Sequence, residues 1–281
     1  MKERIAAPLV AIVVLSTAAQ AREEPLWEAG IGLAALSFPD YRGSSHSRGY
    51  VLPAPYLVYR GEVFKADRQG LRGIFFRTER VALNMSVGAS LPVRSSEVSA
   101  REGMPDLKPS IEAGPSLELN LWRASDRRAA LDLRLPVRAA MTVSSDPRYI
   151  GLQFFPHLNV DVDPSGAAGW KLGVLAGPVF TDSRYNRHFY SVAPEFADAR
   201  RSAYEARGGY GGTQFIVALS KRFPRFWVGG FARYDTLRGA AYQASPLVTS
   251  KRYAAGGIAV SWIFAESSRR VTTSGLEGPG R

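Results

Sequence analysis

The feature that most constrains this chain is a two-residue period sustained over long segments, with no apolar run long enough to be a membrane helix. Between 110 and 122, Ile111, Ala113, Pro115, Leu117, Leu119 and Leu121 alternate with Ser110, Glu112, Gly114, Ser116, Glu118 and Asn120. Ala129, Leu131, Leu133, Leu135 and Val137 are then set against Asp132, Arg134 and Arg138. Residues 151–162 repeat the pattern, with Leu152, Phe154, Leu158, Val160 and Val162 against Gln153, His157, Asn159 and Asp161. Successive side chains of a strand point to opposite faces, so each segment reads as a strand with one apolar and one polar face. Segments of about 11–14 residues exceed the soluble norm of about 5–6 and match a tilted membrane crossing. In a soluble sandwich the apolar face would meet a core, whereas in a membrane barrel it meets lipid and the polar face lines the lumen.

The connections alternate in length. Short turns are predicted at Gly61, around Glu79-Arg80, at Ala124-Ser125-Asp126, at Pro164-Ser165-Gly166 and at Phe223-Pro224, and long loops at 37–49, 91–107, 182–210 and 237–251. The predicted strands are 26–36, 50–60, 62–67, 70–78, 80–90, 108–122, 128–142, 148–163, 168–181, 211–222, 225–236 and 252–264. The fold class is therefore all-β: a transmembrane antiparallel β-barrel of about twelve strands (ten in the alternative), with short periplasmic turns and long extracellular loops. The even count favours reading the short third and fourth spans as separate strands.

The amino terminus supplies the compartment. Lys2 and Arg4 precede the apolar stretch 5–15, and Ala19-Gln20-Ala21 fits a small-x-small cleavage site. Residues 1–21 read as a cleaved signal peptide, too short to span a bilayer, and the mature chain is expected to begin near Arg22. The absence of cysteine removes lipoprotein anchoring and leaves stability to the strand ladder rather than to disulfides. A net charge of +11 would suggest nucleic acid, but export turns the expectation toward outer-membrane lipid and lipopolysaccharide phosphates. A mean hydropathy of −0.12 suits strands that are apolar on one face only.

Aromatic residues near strand ends (Trp27, Tyr56, Tyr59, Trp122, Trp170, Phe223, Phe226, Trp227 and Trp262) are expected in the headgroup girdles. No catalytic, cofactor or metal constellation emerges. The histidines His46, His157 and His188 are far apart and lack metal-ligand spacing, and Ser44, Ser45 and Ser47 beside His46 do not make a triad. The inward polar set is more informative. Glu112, Glu118, Asp132, Arg134, Arg138, His157, Asp161, Arg233 and Asp235 are expected to form an ionic network that narrows or plugs the lumen, or else to line a selective pore. In the 182–210 loop, Arg184, Tyr185, Arg187, Arg200 and Arg201 are candidates for binding phosphate or a protein partner.

Four short stretches also carry a family signature. Phe38-Pro39-Asp40-Tyr41-Arg42-Gly43-Ser44 followed by Leu52-Pro53-Ala54-Pro55-Tyr56 resembles the start of the MipA/OmpV family of outer-membrane proteins. The resemblance continues in Phe189-Tyr190-Ser191-Val192, in Ala203-Tyr204-Glu205-Ala206-Arg207-Gly208-Gly209, and in Ser245-Pro246-Leu247-Val248. It implies an outer-membrane barrel. It also implies a scaffolding role for murein machinery, with a lytic transglycosylase and a peptidoglycan synthase (a penicillin-binding protein) as partners; other members are associated with adhesion or altered antibiotic susceptibility. It supplies no catalytic residues. Members end at the terminal aromatic, whereas this chain continues past Phe264.

The expected organisation is thus a signal peptide (1–21), a barrel (22–264) and a polar, disordered tail (265–281). The expected function is a non-enzymatic scaffold for peptidoglycan synthesis and remodelling, with no cofactor. A narrow permeation path is the alternative, and an outer-membrane lipid hydrolase or acyltransferase a further one, which would need a histidine and a serine meeting on the outer wall. Arg80, Arg127, Arg128, Arg222 and Arg225 would form the basic periplasmic rim.

Overall fold

The computed structural model describes residues 22–60, 64–67, 70–78, 80–126, 128–163 and 169–273. The predicted signal peptide, parts of several short turns, Arg127 and the tail beyond 273 lie outside these residues. The first half contains β1 (Arg22–Pro25), β2 (Trp27–Pro39), β3 (Ser47–Arg60), β4 (Phe64–Asp67), β5 (Gly70–Arg77), β6 (Val81–Ser90), β7 (Ser110–Arg123) and β8 (Ala129–Thr142). The second contains β9 (Tyr149–Phe154), β10 (His157–Val162), β11 (Trp170–Thr181), a short helix α1 (Ser183–Tyr190), β12 (Gly209–Arg222), β13 (Phe226–Thr236), β14 (Arg252–Glu266) and β15 (Arg270–Thr273).

Thirteen of these strands form one antiparallel sheet consistent with a barrel. Neighbours in sequence pair as hairpins from β2 to β9 and from β10 to β14, and β14 pairs back onto β2 along ten residue pairs, with a bulge between Ile263 and Ala265. β10 pairs with both β8 and β11, and β9 likewise meets both β8 and β11. The predicted strand 148–163 is therefore split. Pro156 lacks an N–H and fixes its own backbone, so the ladder breaks between Phe154 and His157 and resumes on the same two neighbours. The third and fourth predicted spans appear as β4 and β5, each with its own partners. No helix among the described residues is long and apolar enough to cross a membrane.

The side-chain pattern is inverted relative to a water-soluble sheet. On the outer face Ile258 and Leu33 are 66% and 64% exposed, while on the inner face Glu118 and Ser261 are only 9% and 2% exposed. Such an arrangement is costly in water, where an exposed apolar band this extensive gains nothing, and is favourable where the outer surface meets hydrocarbon.

Long connections gather at one end (40–46, 91–109, 182–208 and 237–251), together with the shorter 143–148, and the connection 223–225 lies at the other with the β1–β15 pair. The first long loop is shorter than predicted because β2 and β3 stay paired out to Pro39 and Ser47. The tail also departs from expectation. Instead of disorder from 265, β14 runs on to Glu266 and β15 pairs antiparallel with β1, Arg22 opposite Thr273 and Pro25 opposite Arg270. Leu26 N donates to Arg269 O (2.8 Å) and Ser267 N to Trp27 O (2.9 Å), so main-chain pairing, which does not need apolar side chains, orders this polar segment.

The expected girdle is partly realised. Trp27, Trp122, Phe226 and Trp262 lie exposed on the outer wall near the short-turn end. Tyr56 and Trp227 do not join it. Both point inward, with ring centroids 5.9 Å apart, and the Tyr56 hydroxyl donates to buried Glu28 (3.2 Å). Strand parity decides this: Tyr56 pairs with Gly30 and Trp227 with Ser261, on the inward register of their strands.

Candidate functional site

The inward polar residues form separate clusters rather than one network. On β7, β8 and β10, Arg134 is surrounded by Glu118 (3.4 Å), Asp161 (3.6 Å) and Asp132 (3.8 Å). Asn120 Nδ2 donates to Asp132 (2.8 Å) and Asn159 Nδ2 to Asp161 (2.7 Å), which satisfies the carboxylates that one guanidinium cannot serve alone. Nearer the long loops, Arg138 donates to Ser86 Oγ from Nε (2.9 Å) and Nη2 (2.7 Å) and lies 3.8 Å from Glu112. On the other side, Asp235 binds Arg233 (2.6 Å) and Arg42 (3.0 Å) and accepts from the Tyr253 hydroxyl. His157 takes no part in an ion pair: its Nδ1 meets Phe155 O at 2.8 Å and its ring stacks on Phe155.

Residues not singled out by sequence complete these clusters. Arg42 comes from the 40–46 loop and is joined to Asp235 across 193 positions, a proximity that only the sheet topology creates. At the short-turn end Glu28 binds Arg60 (2.8 Å) and Arg222 (3.0 Å), placing Arg222 in an inner cluster rather than solely on the predicted basic rim. The inward parity of Glu28 on β2 was the available signal.

The long loops build an apolar core of their own above the sheet. Tyr41, Val93, Leu107, Tyr185, Phe189, Tyr190, Leu237 and Tyr242 pack together there. The rings of Tyr190 and Tyr242 stack at 3.8 Å and 8°. Buried hydroxyls are satisfied by main chain: Tyr41 donates to Leu247 O (2.7 Å), Tyr190 to Arg42 O (3.0 Å) and Tyr242 to Gly211 O (3.0 Å). Gly43, at φ +95°, makes the turn that returns the first loop to the last, where its carbonyl accepts Thr249 N and Ser250 N, both at 2.9 Å. Asp182 caps α1 by accepting from Tyr185 N (2.7 Å), and the helix start docks on Gly151, where a Cβ would lie 2.3 Å from Asp182 Oδ1. Tyr185 then donates to Glu112 (2.8 Å) and ties the cap to the inner wall. Burial pushes the Tyr41 phenol up to about 12, and holds Tyr185 and Tyr190 well above the ordinary tyrosine value. Burial, reinforced by the Arg101 guanidinium, holds His188 below the ordinary histidine value.

This packing corrects part of the expected loop-binding set. Tyr185 is buried and faces the sheet interior. Arg201 is buried and donates to Phe196 O (2.9 Å), Ala100 O (3.2 Å) and Glu102 O (2.9 Å), so it staples two loops instead of offering its guanidinium to a ligand. Its equivalent, Arg101, donates to Phe189 O (3.1 Å). Arg184, Arg187 and Arg200 remain exposed, Arg184 over the Tyr149 ring and Arg187 3.4 Å from Glu205. Arginine count and loop length were visible in sequence, but which of them would find carbonyls to serve was not.

Below the cap the sheet interior holds a cavity of about 970 Å3. Tyr41, Val93, Tyr185, Phe189 and Tyr190 form its ceiling. One wall carries the β6–β10 polar residues, and the other carries Phe38, Tyr50, Trp227 and Phe231 together with Arg42, Arg233 and Tyr253. Near the cap, His46 Nδ1 lies 2.7 Å from Asp40, but the Ser44 hydroxyl engages the main chain of His46 (3.1 Å to O and to N) and not its ring. No cluster of three or more metal-ligating residues occurs among the described residues.

No curated protein matches the chain. Among solved structures it is similar to a bacterial polysaccharide outer membrane secretin, at 8% identity over 85% of this chain and 99% of that one, with a TM-score of 0.40. The outer membrane protease OmpT from Escherichia coli is also 8% identical over 87% and 97% of the two chains, with a TM-score of 0.27. The family description is different in weight: that of the MltA-interacting protein MipA matches residues 31–264, from within β2 to the aromatic near the end of β14. The four stretches singled out in the sequence all lie inside that span, and the chain belongs to the MipA family.

Proposed function

We propose that this protein is a non-enzymatic, twelve-stranded outer-membrane barrel that scaffolds peptidoglycan-remodelling enzymes from its periplasmic face. The observation that carries the barrel reading is the inverted burial pattern, apolar residues outside and ion pairs inside. Counting β9 and β10 as one interrupted strand between β8 and β11 supports the reading of twelve strands in a closed barrel, and an even number would put β1 and β15 at the same end. Family membership supports outer-membrane placement and, through the name of its type member, a lytic transglycosylase as partner. Engagement of Ser44 with main chain and the inward placement of His157 favour a non-enzymatic role over a lipid hydrolase. The exported signal-free chain would present its long loops to lipopolysaccharide and its short turns to the periplasm.

The test is co-purification. A tagged protein extracted in detergent should enrich a lytic transglycosylase or a penicillin-binding protein over a control barrel of similar size. Equal recovery from both would sink the scaffold reading.

The interior cavity supports a second reading, a narrow permeation path. Planar-bilayer recordings would then show salt-dependent unitary steps. Silence from a folded barrel would instead assign closure to the packed cap.

A further inference from the structure

We propose that the cavity beneath the loop cap is a binding chamber for a neutral oligosaccharide, a role independent of scaffolding. At about 970 Å3 it lies at the upper end of the usual range for small-molecule sites. Among the described residues its ionised lining is balanced: Asp40, Glu112, Glu118 and Asp161 are matched by Arg42, Arg134, Arg138 and Arg233. A net-charged ligand gains no net attraction from these eight groups, and desolvating its charge would cost more than they return.

Two atoms on this lining ask for a partner. Asn84 is 2% exposed, and its Oδ1 accepts no hydrogen bond; Arg42 Nη2 donates none. One is an acceptor and the other a donor, and buried polar groups of this kind are rarely left unpaired. A hydroxyl-rich ligand gives and takes hydrogen bonds with the same functional group, so it answers both demands once a rotation of each side chain turns the atom toward the cavity. Across from Asn84, on the side that also carries Arg42, aromatic rings fit the rest of such a molecule. The rings of Phe38 and Phe231 lie 5.8 Å apart, and Trp227 continues the same surface. The electron-rich faces of these rings suit the C–H faces of sugar rings, while hydroxyls at the rim of each sugar reach the polar wall. Sugar-sized ligands that are apolar on their faces and polar at their edges match a chamber that sets aromatic rings beside hydrogen-bonding groups.

The experiment uses the protein purified from membranes in detergent, titrated with maltotriose or with chitotriose and followed by calorimetry and tryptophan emission. Binding of one and not the other distinguishes a plain glucan from an acetamido sugar as the source. Saturable binding of either is expected, with an emission change that disappears in Trp227→Phe while the calorimetric signal persists. Asn84→Ala should weaken affinity about tenfold, the value of one lost hydrogen bond in a buried site, with the heat-modifiable electrophoretic shift of the folded barrel retained. Absence of saturable heat with both sugars in a barrel that shows that shift would overturn the proposal. So would unchanged affinity in both Asn84→Ala and Arg42→Gln, or tighter binding of a trication such as spermidine than of either sugar.

Discussion

The sheet and the loop cap obey opposite burial rules within one chain. In the sheet, Leu33, Ile258 and Val260 face outward while Glu112, Glu118 and Asp235 are buried. In the cap, Tyr41, Phe189, Tyr190 and Leu237 are buried while Arg184, Arg187 and Arg200 are exposed. The same hydrophobic effect gives both patterns, because it ranks an environment against the medium outside it. For the cap that medium is water, and for the sheet it is hydrocarbon. Polar groups in the sheet are buried because the ladder forces every second residue inward, and they persist there by pairing with one another.

The largest effect expected from breaking this contrast lies in the cap. Tyr190→Ala removes a stacked ring and a buried hydroxyl, and should cost about 3–5 kcal/mol of local cap stability. Limited proteolysis should then cut within 182–208 while the β strands stay resistant. On the sheet exterior, Ile258→Arg should cost about 2–4 kcal/mol in reversible unfolding from bilayers. Ser202→Arg, on the water-facing surface of the cap, should change stability by less than about 0.5 kcal/mol in the same assay. Equal costs at the two sites would remove the difference in medium on which the comparison rests.

A smaller effect tests how the two regions are joined. Tyr185→Phe should lose about 1.5–3 kcal/mol, the worth of a hydrogen bond to a charged group. A double-mutant cycle with Glu112→Gln should recover most of that loss as coupling, and additive losses would mean the regions are independent.

The smallest effects are those of pH on the cap. Folding holds His188 below its ordinary value of 6.5, so the unfolded cap binds the proton more readily. The stability due to the neutral ring is present above pH 6.5 and is lost as pH falls through the depressed folded value. Tyr41 has the opposite sense: its phenol is raised from 10.0 to about 12, so its contribution is present below pH 10 and is lost as pH rises toward 12. Amide exchange across 182–208 should therefore accelerate at both extremes, and His188→Gln should flatten the acid limb alone.

The sheet was legible in the sequence because its period is local. Odd and even positions of 110–122 separate into apolar and polar sets without knowledge of any neighbour, and β7 buries Ser110, Glu112, Ser116 and Glu118 accordingly. Pairwise chemistry was less legible. The partners of Arg138 and Arg134 come from adjacent strands and could be anticipated, whereas Arg42 meets Asp235 only because β2 lies beside β14. Arg201 looked like a ligand-binding side chain for the same reason: its carbonyl partners at Ala100 and Glu102 lie in another loop. The stretch 265–273 is ordered despite its composition because low apolar content argues against a core but does not prevent main-chain pairing, which β15 finds on β1. Trp227 and Tyr56 were assigned from residue type near a strand end, when parity along the strand decides which side of the wall a ring occupies.

Depth-dependent quenching reports which face of this sheet meets lipid. In a tryptophan-free background reconstituted into bilayers with brominated acyl chains, Ile258→Trp should be strongly quenched, whereas a variant retaining only Trp227 should keep its emission. Strong quenching of Trp227 with a protected tryptophan at 258 would mean that the apolar face turns inward and the polar face meets the membrane.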